Sequence, residues 1–270
     1  MDDLVQVIDI GRVSARKLHI LQKDLTNFLA HNLPDRKVVI LSEVDKTISF
    51  GGARERNKLK SLLEFRTQEL LKEEFPGVVF SDNMMSHTYA QMSLQGICDH
   101  AFIHSNRGGG STYLGPGQRV AFFLYPVSMF NVKYMQSYIL DIMEETVSKI
   151  LPRGEVIEKH PEKDLLVQRN TAYKIGSLGL SFRRYNHRLY SQFGCSFHVN
   201  KESTSGFDLV EPCGFSTLEV SSLEGLTGNE YSYDFFDECF FKSLNARSLI
   251  LPHSKRNSLE KDVRSYLSKL

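Results

Sequence analysis

The sequence predicts one α+β domain, and two patterns carry that prediction. Apolar residues recur at helical spacing over 132–150 and from residue 13 to about residue 29, which indicates two amphipathic helices. Wholly apolar or alternating runs at 37–41 and 118–125 indicate strands. The chain of 270 residues is long enough for one sizeable core, and it shows neither an internal repeat nor a linker that would divide it.

Each predicted element has a local signal. The first helix keeps apolar residues on one face, namely Leu18, Leu21, Leu25, Phe28 and Leu29. The long helix has Asn131 as its cap. The other elements are, in order, strands at 5–10, 37–41 and 47–50, a charged helix at 54–74, strands at 78–80 and 118–125, a polar connection at 155–166, strands with tight turns to about residue 199, and a short terminal helix at 258–270.

Composition excludes several classes of protein. Hydrophobic residues make up 41% and charged residues 24%, and the net charge is +1, so there is no overall case for nucleic acid or an anionic membrane. No apolar run approaches the roughly 18 residues of a membrane span. The N-terminus lacks the pattern of a signal or transit peptide, so we expect a cytoplasmic protein, or an organellar matrix or stromal one if the chain is a mature eukaryotic form. The four cysteines, Cys98, Cys195, Cys213 and Cys239, form no C-x-x-C pair, which indicates reduced thiols.

Residues 107–118 read RGGGSTYLGPGQ, and five of these twelve residues are glycine. Such backbone freedom is costly on folding, so the segment must need a bare main chain. It is not a phosphate loop, because no lysine followed by serine or threonine stands where that motif requires them. It is not a dinucleotide fingerprint, because a predicted strand follows it instead of a helix. A glycine-rich turn between two strands, or a backbone that lies against an elongated ligand, remains.

Two further stretches hold a lysine and a cysteine that the fold could join. They are KIGSLG at 174–179 and FDLVEPCG at 207–214. Free cysteine has a pKa near 8.5, and a nearby ammonium such as that of Lys174 would favour the Cys213 thiolate. The lysine could also move a proton during acyl transfer, while backbone N–H groups of glycine-rich turns stabilise an oxyanion. Taken singly, Cys213 can also be a packed small side chain, and Lys174 a solvated surface residue.

In this order and spacing, the motifs resemble those of the lipoyl(octanoyl) transferase family, the octanoyl-acyl carrier protein:protein N-octanoyltransferases of the biotin/lipoate protein ligase superfamily. The family's signatures are similar to R-G-G-x-x-T-Y-H-G-P-G-Q, K-I-x-A-I-G, H-G-x-A-L-N and F-x-x-I-x-P-C-G. This chain has RGGGSTYLGPGQ, KIGSLG, FGCSFHVN and FDLVEPCG. The resemblance covers roughly residues 5–223, and its first and last motifs are the specific ones.

The resemblance also implies an architecture. It implies a mixed β-sheet flanked by helices, as in biotin/lipoate protein ligase-like catalytic domains. The whole chain, residues 1–270, would be one octanoyltransferase catalytic domain. Relative to compact members it would carry an insertion at about 53–104 and a C-terminal extension after about 228.

The activity that the resemblance implies is transfer of an octanoyl or lipoyl group to a lysine of a lipoyl domain, the first step of endogenous lipoate biosynthesis. The expected partners are octanoyl-acyl carrier protein, the lipoyl domains of 2-oxoacid dehydrogenases and the glycine cleavage H protein; no cofactor, metal, nucleic acid or membrane is expected. Cys213 would carry the acyl thioester, and Lys174 would lower the thiol pKa and act as acid and base. The implied substrate-binding residues are Arg107, Gly108, Gly109, Gly110, Ser111, Thr112, Tyr113, Leu114, Ser177, Leu178, Gly179, Gly194, Cys195 and Ser196.

The chain departs from the family pattern at two positions. Leu114 and Phe193 stand where the family has histidine, which removes two polar groups close to the expected reaction centre. His198 stands where the family often has asparagine, and it could compensate or be a core or surface histidine. Two alternatives stay open: an ATP-dependent lipoate–protein ligase, which shares the fold but normally lacks the P-C-G cysteine, and a non-catalytic member that binds lipoyl domains or acyl chains.

Two other groups of residues have a possible function. Cys98, His100 and His104 lie close in sequence but lack a fourth metal ligand, so we expect no metal there. A basic cluster after KIGSLG is either a solvated hairpin or a docking surface for the acidic acyl carrier protein. The cluster consists of Arg183, Arg184, His187 and Arg188.

Overall fold

The structure is a computed structural model that describes residues 4–51, 101–105, 111–127, 132–160, 164–185, 187–207, 219–247, 249–250 and 257–270. Within these residues the helices are α1 (Ala15–Asn32), α2 (Val132–Ser148), α3 (Leu223–Thr227), α4 (Tyr233–Arg247) and α5 (Asn257–Lys269), with a 3₁₀ helix at Lys201–Thr204. The strands are β1 (Leu4–Val13), β2 (Lys37–Val44), β3 (Thr47–Gly51), β4 (Ala101–Ser105), β5 (Ser111–Leu114), β6 (Gln118–Leu124), β7 (Pro126–Val127), β8 (Val156–Lys159), β9 (Asp164–Gln168), β10 (Ala172–Gly179), β11 (Phe182–Tyr185), β12 (Arg188–Ser191), β13 (Phe193–His198), β14 (Glu219–Val220) and β15 (Leu249–Ile250).

A mixed sheet of nine of these strands forms the centre of the described part of the chain. Its order is β15-β1-β2-β6-β13-β10-β9-β8, and β14 pairs with β10 beside this path. β1 is parallel to β2 and to β15, whereas the pairs from β2 through β6, β13, β10 and β9 to β8 are antiparallel. The smaller sheets β11-β12-β7 and β4-β3-β5 lie outside it. The predicted mixed sheet flanked by helices is confirmed.

Helices cover both faces of this sheet. α2 and α4 pack on one face through residues such as Ile139 and Phe236, and we call this cluster the α2–α4 core. α1 and α5 pack on the other through Leu21, Leu25 and Val263, which form the α1–α5 core. Neighbouring residues of β2 alternate between the two cores, as strand geometry requires. The helical spacing of apolar residues therefore predicted the buried leucines of α1 correctly, whereas Phe28, predicted on the same face, is 43% exposed.

One predicted element is wrong. The polar stretch 155–166 is not a connection, because it contains β8 and the start of β9. β8 is the last strand of the sheet order and Val156 is exposed, so this strand lacks the apolar alternation that marks a half-buried one. The predicted helix 54–74, the predicted strand 78–80 and the cap Asn131 lie outside the described residues.

The segment after residue 228 is integrated into the core. α4 buries Phe236 and Phe240 completely in the α2–α4 core. The buried guanidinium of Arg119 in β6 makes two bonds to Asp237, of 2.9 Å and 2.6 Å. Such a bidentate pair fixes the orientation of the helix on the sheet. The part of the chain after residue 228 therefore contributes a helix to the core.

Candidate active site

The second and third motifs lie side by side in the middle of the sheet. β10 and β13 are antiparallel, with Ser177 opposite Ser196 and their hydroxyl oxygens 3.1 Å apart. Opposed residues of an antiparallel pair share a face, so the two serines mark one face of the sheet. The neighbouring side chains of Leu178 and Cys195 lie on the other face, in the α2–α4 core.

Lys174 is buried, with only 1% of its surface exposed. Its Nζ lies 2.9 Å from Oδ1 of Asp164, which is equally buried. A charge away from water is costly unless an opposite charge compensates it, and this ion pair provides that compensation. The alternative that Lys174 is a solvated surface residue is therefore wrong.

A β-bulge aligns Lys174 with the serines. In a regular strand Lys174 and Ser177 would point to opposite faces, because they are separated by an odd number of residues. Here β10 faces β9 with Lys174 opposite Leu166 and Ser177 opposite Asp164, so one extra residue is inserted in β10 between them. The bulge turns both side chains to the same face. We call Lys174, Asp164, Ser177, Ser196 and His198 the polar face.

His198 completes the polar face, because it follows Ser196 by two residues in β13. It is fully buried, and its Nδ1 lies 2.9 Å from the backbone carbonyl oxygen of Ser221. Burial, and then the charge of Lys174, lower the pKa of His198 from 6.5 to about 4, while the backbone carbonyls of Ser221 and Lys174 act in the opposite direction. The imidazole is therefore neutral at pH 7. Because a carbonyl oxygen only accepts, Nδ1 carries the proton and Nε2 carries the lone pair.

The end of the glycine-rich motif adjoins His198. Gln118, the last residue of RGGGSTYLGPGQ, pairs with His198 across β6 and β13. Its Nε2 donates to the carbonyl oxygens of Tyr113, at 3.3 Å, and Ser203, at 2.9 Å. The ring of Phe207 packs against the rings of His198 and Tyr113. Its centroid lies 5.0 Å from that of His198 and 5.7 Å from that of Tyr113. The first, third and fourth motifs thus contact one another here.

Two glycines of the first motif are required by the packing of the protein itself. Gly117 has φ +81°, and a Cβ there would lie 2.6 Å from the backbone nitrogen of Ser203. A Cβ on Gly115 would overlap the hydroxyl end of Tyr113. A close approach of ligand is therefore not needed to explain either glycine. Gly108, Gly109 and Gly110 lie outside the described residues.

The other predicted site residues are placed as follows. Thr112 and Tyr113 are buried in β5, and Leu114 packs against the α1–α5 core. Leu178 and Cys195 turn their side chains away from the polar face, so only their backbone is available on that side. Phe193, one of the two positions where the family has histidine, is also in the α2–α4 core. Outside the described residues lie Arg107, Gly108, Gly109, Gly110 and Cys213, whereas Ser111 begins β5 and Gly179 and Gly194 are opposed in β10 and β13.

The two ends of the segment that contains Cys213 contact the polar face. Phe207, six residues before Cys213, packs on His198. Glu219 and Val220, which follow the segment, form β14 and run parallel to Tyr173 and Lys174. The backbone N–H of Ser221 then donates to the carbonyl of Lys174 at 2.9 Å. Described residues on both sides of Cys213 therefore contact residues of the polar face.

The two cysteines in the described part of the chain are poor nucleophiles. Cys195 is buried in the α2–α4 core, and burial raises the pKa of its thiol. Burial also raises the pKa of Cys239 in α4. The thiolate is the nucleophilic form of cysteine, and a raised pKa disfavours it. Neither thiol is therefore suited to attack an acyl group.

The described residues offer neither a metal cluster nor a membrane helix. No group of three His, Cys, Asp or Glu side chains among them could hold a metal ion. Cys98 and His100 of the weak metal pattern lie outside this part of the chain. Likewise, none of the described helices has the length and apolar character needed to cross a membrane.

Residues 91–245 match the family model described as "Lipoyl protein ligase A/B catalytic domain". The chain belongs to this family. The match includes all four sequence motifs and nearly all of α4.

Relatives of this family member are similar in sequence over about half of the chain. The present chain is 34% identical over 134 residues to an octanoyltransferase of Shewanella loihica, and the match covers 48% of this chain and 56% of the relative. It is 35% identical over 134 residues to an octanoyltransferase of Salmonella choleraesuis, covering 46% and 61%. The chain thus spans less than two thirds of the length of these curated relatives.

Solved structures with the same fold are lipoate protein ligases. A bipartite lipoate protein ligase of Thermoplasma acidophilum, studied with its E2 lipoyl domain, has a TM-score of 0.58 at 11% identity and covers 98% of this chain and 92% of that one. A lipoate-protein ligase A bound with ATP has a TM-score of 0.56 at 10% identity and covers 98% and 95%. These similarities show the fold of the family.

Sequence reasoning missed two residues of the site. Asp164 opens an apolar strand, and Gln118 closes the glycine-rich motif. An isolated acidic residue beside a run of buried apolar ones, DLLV, was a usable signal, because such a carboxylate needs a partner when the strand is buried. The identity of that partner depends on strand register and on the bulge in β10, which the sequence does not show.

Proposed function

We propose that this protein is an octanoyltransferase that moves an octanoyl or lipoyl group from acyl carrier protein to a specific lysine of lipoyl domains, through a thioester on Cys213. The observation that carries the proposal is the buried Lys174 ammonium on the polar face. The chain segments on both sides of Cys213 contact that face. The octanoyltransferase relatives support the choice of acyl group.

The chemistry that we propose has two halves. In the first, the Cys213 thiolate attacks the thioester carbonyl, its bond to the acyl carbon forms, and the carbon–sulfur bond to the carrier breaks. In the second, the amine of the acceptor lysine attacks the enzyme thioester and forms an amide, and the Cys213 sulfur leaves. A thioester is already activated, so no nucleotide is consumed. Lys174 contributes the positive charge that favours the thiolate in both halves.

The proposed acyl acceptors are the lipoyl domains of 2-oxoacid dehydrogenases and the glycine cleavage H protein. The proposed donor is octanoyl-acyl carrier protein. The substrate would lie along residues 107–114 and against the polar face near Ser177, Gly179, Gly194 and Ser196. We also propose that residues 53–104 are an insertion, of which the last residues form β4 beside β3. The reaction that we propose is the first step of endogenous lipoate biosynthesis.

Intact-protein mass measurement tests the proposal directly. The enzyme is incubated with octanoyl-acyl carrier protein and without nucleotide, and we expect the mass of one octanoyl group to be added. Addition of a lipoyl domain should remove the adduct and transfer it to the domain. The variant Cys213→Ala should form no adduct, while the matched variants Cys98→Ala and Cys239→Ala should form it normally. An adduct on Cys213→Ala would show that another residue is the nucleophile.

The thiol itself can be probed without substrate. If the Lys174 ammonium favours the Cys213 thiolate, alkylation of Cys213 in the Lys174→Ala variant should require a higher pH than in the wild type. Peptide mass spectrometry identifies the alkylated cysteine. An unchanged pH profile of Cys213 alkylation would separate Lys174 from the thiol.

An ATP-dependent ligase is the second candidate, because the solved structures that share the fold include a lipoate-protein ligase A bound with ATP. A ligase would modify the lipoyl domain from free octanoate and ATP, and it would form no adduct from octanoyl-acyl carrier protein. A non-catalytic member would do neither. The same mass measurement, run with octanoyl-acyl carrier protein and with free octanoate plus ATP, distinguishes the three hypotheses.

A further inference from the structure

Three basic side chains meet where α1 lies against the β11–β12 hairpin, and we call them the junction residues. Arg183 of β11 and His19 of α1 are half-buried, and Lys23 is exposed one turn after His19 on the same side of α1. None of the three pairs with a carboxylate of the described chain. Asp24, the acid next to Lys23, instead accepts a hydrogen bond from Tyr266 of α5. The positive charges of the junction residues are therefore left without a counter-charge.

A glutamine side chain holds Arg183 against α1. Nε of Arg183 donates to Oε1 of Gln192 at 3.1 Å, and Nε2 of Gln192 donates to Oγ1 of Thr26 at 3.0 Å. The hydroxyl of Tyr185 donates to the backbone carbonyl oxygen of Lys23 at 3.4 Å, which ties the same strand to the helix. The two terminal nitrogens of Arg183 make no bond to the described residues. The guanidinium is thus fixed through Nε and keeps donors for a further acceptor.

The junction residues also repel one another. Burial, and then the charges of Arg183 and Lys23, lower the pKa of His19 below its ordinary value of 6.5, and no carboxylate of the described chain acts on it. The imidazole is therefore neutral at pH 7 and has one N–H to donate. A bound anion would offset the repulsion between the two charges and accept hydrogen bonds from all three side chains.

The junction lies beside the polar face. Ser196 of that face is opposite Val120, which belongs to the α1–α5 core, so the polar face and α1 are on the same side of the sheet. Gly179 and Gly194 pair at the end of β10, and Arg183 follows Gly179 by only four residues. The junction residues are therefore next to the end of β10 along which we propose that the substrate lies.

We propose that Arg183, Lys23 and His19 bind the phosphate group of the acyl donor. This inference rests on the proposed transfer from acyl carrier protein, which holds its acyl group on a phosphopantetheine arm. A phosphate combines negative charge with several acceptor oxygens, which suits the planar donors of an arginine and the point charge of a lysine. Arg184 follows Arg183 in β11 and so points to the other face of the hairpin, outside this phosphate site.

Binding of two ligands that differ only in the phosphate tests the site without any reaction. NMR titration compares 4′-phosphopantetheine with pantetheine, and we expect the wild type to bind the phosphorylated compound about tenfold more tightly. The variants Lys23→Gln and Arg183→Gln should each lose most of this preference and bind pantetheine as the wild type does. Lys23 is exposed, so its variant tests the site even if Arg183→Gln unfolds. Arg153→Gln removes an equal charge from an exposed turn after α2, and it should keep the preference.

The same titration locates the ligand. The ring C–H resonance of His19, identified by its absence in His19→Gln, should shift with 4′-phosphopantetheine and stay in place with pantetheine. Equal affinity for the two compounds, or a preference that persists in Lys23→Gln and Arg183→Gln, would overturn the phosphate site. Tighter binding of ATP than of 4′-phosphopantetheine, lost in the same variants, would instead assign the site to a nucleotide and overturn the donor. An enzyme that forms the octanoyl adduct without a phosphate preference would keep the proposed function and lose this inference, whereas a preference without an adduct would do the reverse.

Discussion

At the residue scale, the Lys174–Asp164 ion pair makes the polar face expensive to disturb. Both side chains are about 2% exposed and their charged atoms are 2.9 Å apart. The attraction between two buried charges offsets the cost of removing them from water only while both are present. The pair therefore holds Lys174 in a fixed place, and its energetic role is visible when one partner is removed.

We expect Asp164→Asn to lower the free energy of unfolding by about 3–5 kcal/mol, because it removes the carboxylate that is paired with the buried Lys174 ammonium. The double variant Asp164→Asn/Lys174→Met should recover a large part of that loss, since no buried charge remains. Urea denaturation of the wild type, both single variants and the double variant measures the coupling. If the loss of unfolding free energy in the double variant equals the sum of the losses in the two single variants, the pair contributes no coupling energy.

His198 should also make the fold sensitive to acid. Its pKa is about 4 in the folded chain and 6.5 in the unfolded chain, so the unfolded chain binds more protons between these values. Stability is then full above pH 6.5 and falls as the pH is lowered towards 4, by about 3 kcal/mol from this group. Thermal unfolding of wild type and His198→Asn between pH 4 and 7 measures it. The two curves should converge as the pH falls; a constant separation would contradict the shift.

At the scale of elements, the sequence predicted the helices α1 and α2 better than it predicted β8, a strand at the edge of the nine-stranded sheet. α1 and α2 bury one face each, so their apolar residues recur at helical spacing and were found. β8 was missed because little of it is buried, and α4 was not assigned because its aromatic residues fall on exposed and buried faces alike, as Phe235 and Phe236 show. The site was predictable where residues are adjacent in sequence. The partners Asp164 and Gln118 required strand register.

The basic cluster lies on the hairpin of β11 and β12, and its three arginines have different surroundings. β11 and β12 pair through 182–185 and 188–191, and His187 has the positive φ of 63° that a tight turn requires. Arg183 donates to Gln192 at 3.1 Å, and Arg188 donates to Asp35 at 2.7 Å. Arg184 is exposed. Docking of an acidic carrier, if this hairpin provides it, would therefore depend most on Arg184.

We expect Arg184→Ser to raise KM for octanoyl-acyl carrier protein a few-fold at low salt and to have less effect at high salt, since exposed charges are screened. The reaction of a small octanoyl thioester should be unaffected. Arg153→Ser, which removes an equal charge from an exposed turn after α2, is the matched control. If the small thioester reacts more slowly as well, the substitution acts on folding or chemistry and the docking role is lost.

At the scale of the whole molecule, the two faces of the sheet depend unequally on the C-terminal part of the chain. α4 supplies Phe236, Phe240 and Leu244 to the α2–α4 core, all with 0% exposure. α5 supplies Leu259 and Val263 to the α1–α5 core. Replacing a buried phenylalanine by alanine costs about 3–5 kcal/mol, and a whole domain is stable by only about 5–15 kcal/mol. Loss of α4 should therefore exceed the stability of the domain.

Two truncated chains test this difference. A chain that ends at residue 228 loses α4 and also removes Asp237 from the buried guanidinium of Arg119, so we expect no cooperative unfolding transition. A chain that ends at residue 250 loses α5, whose two buried side chains contribute about 1.5–3 kcal/mol each, so we expect a cooperative transition at lower urea. Circular dichroism across a urea series measures both. If the shorter chain unfolds cooperatively, with the slope of the full chain, the core is complete without α4.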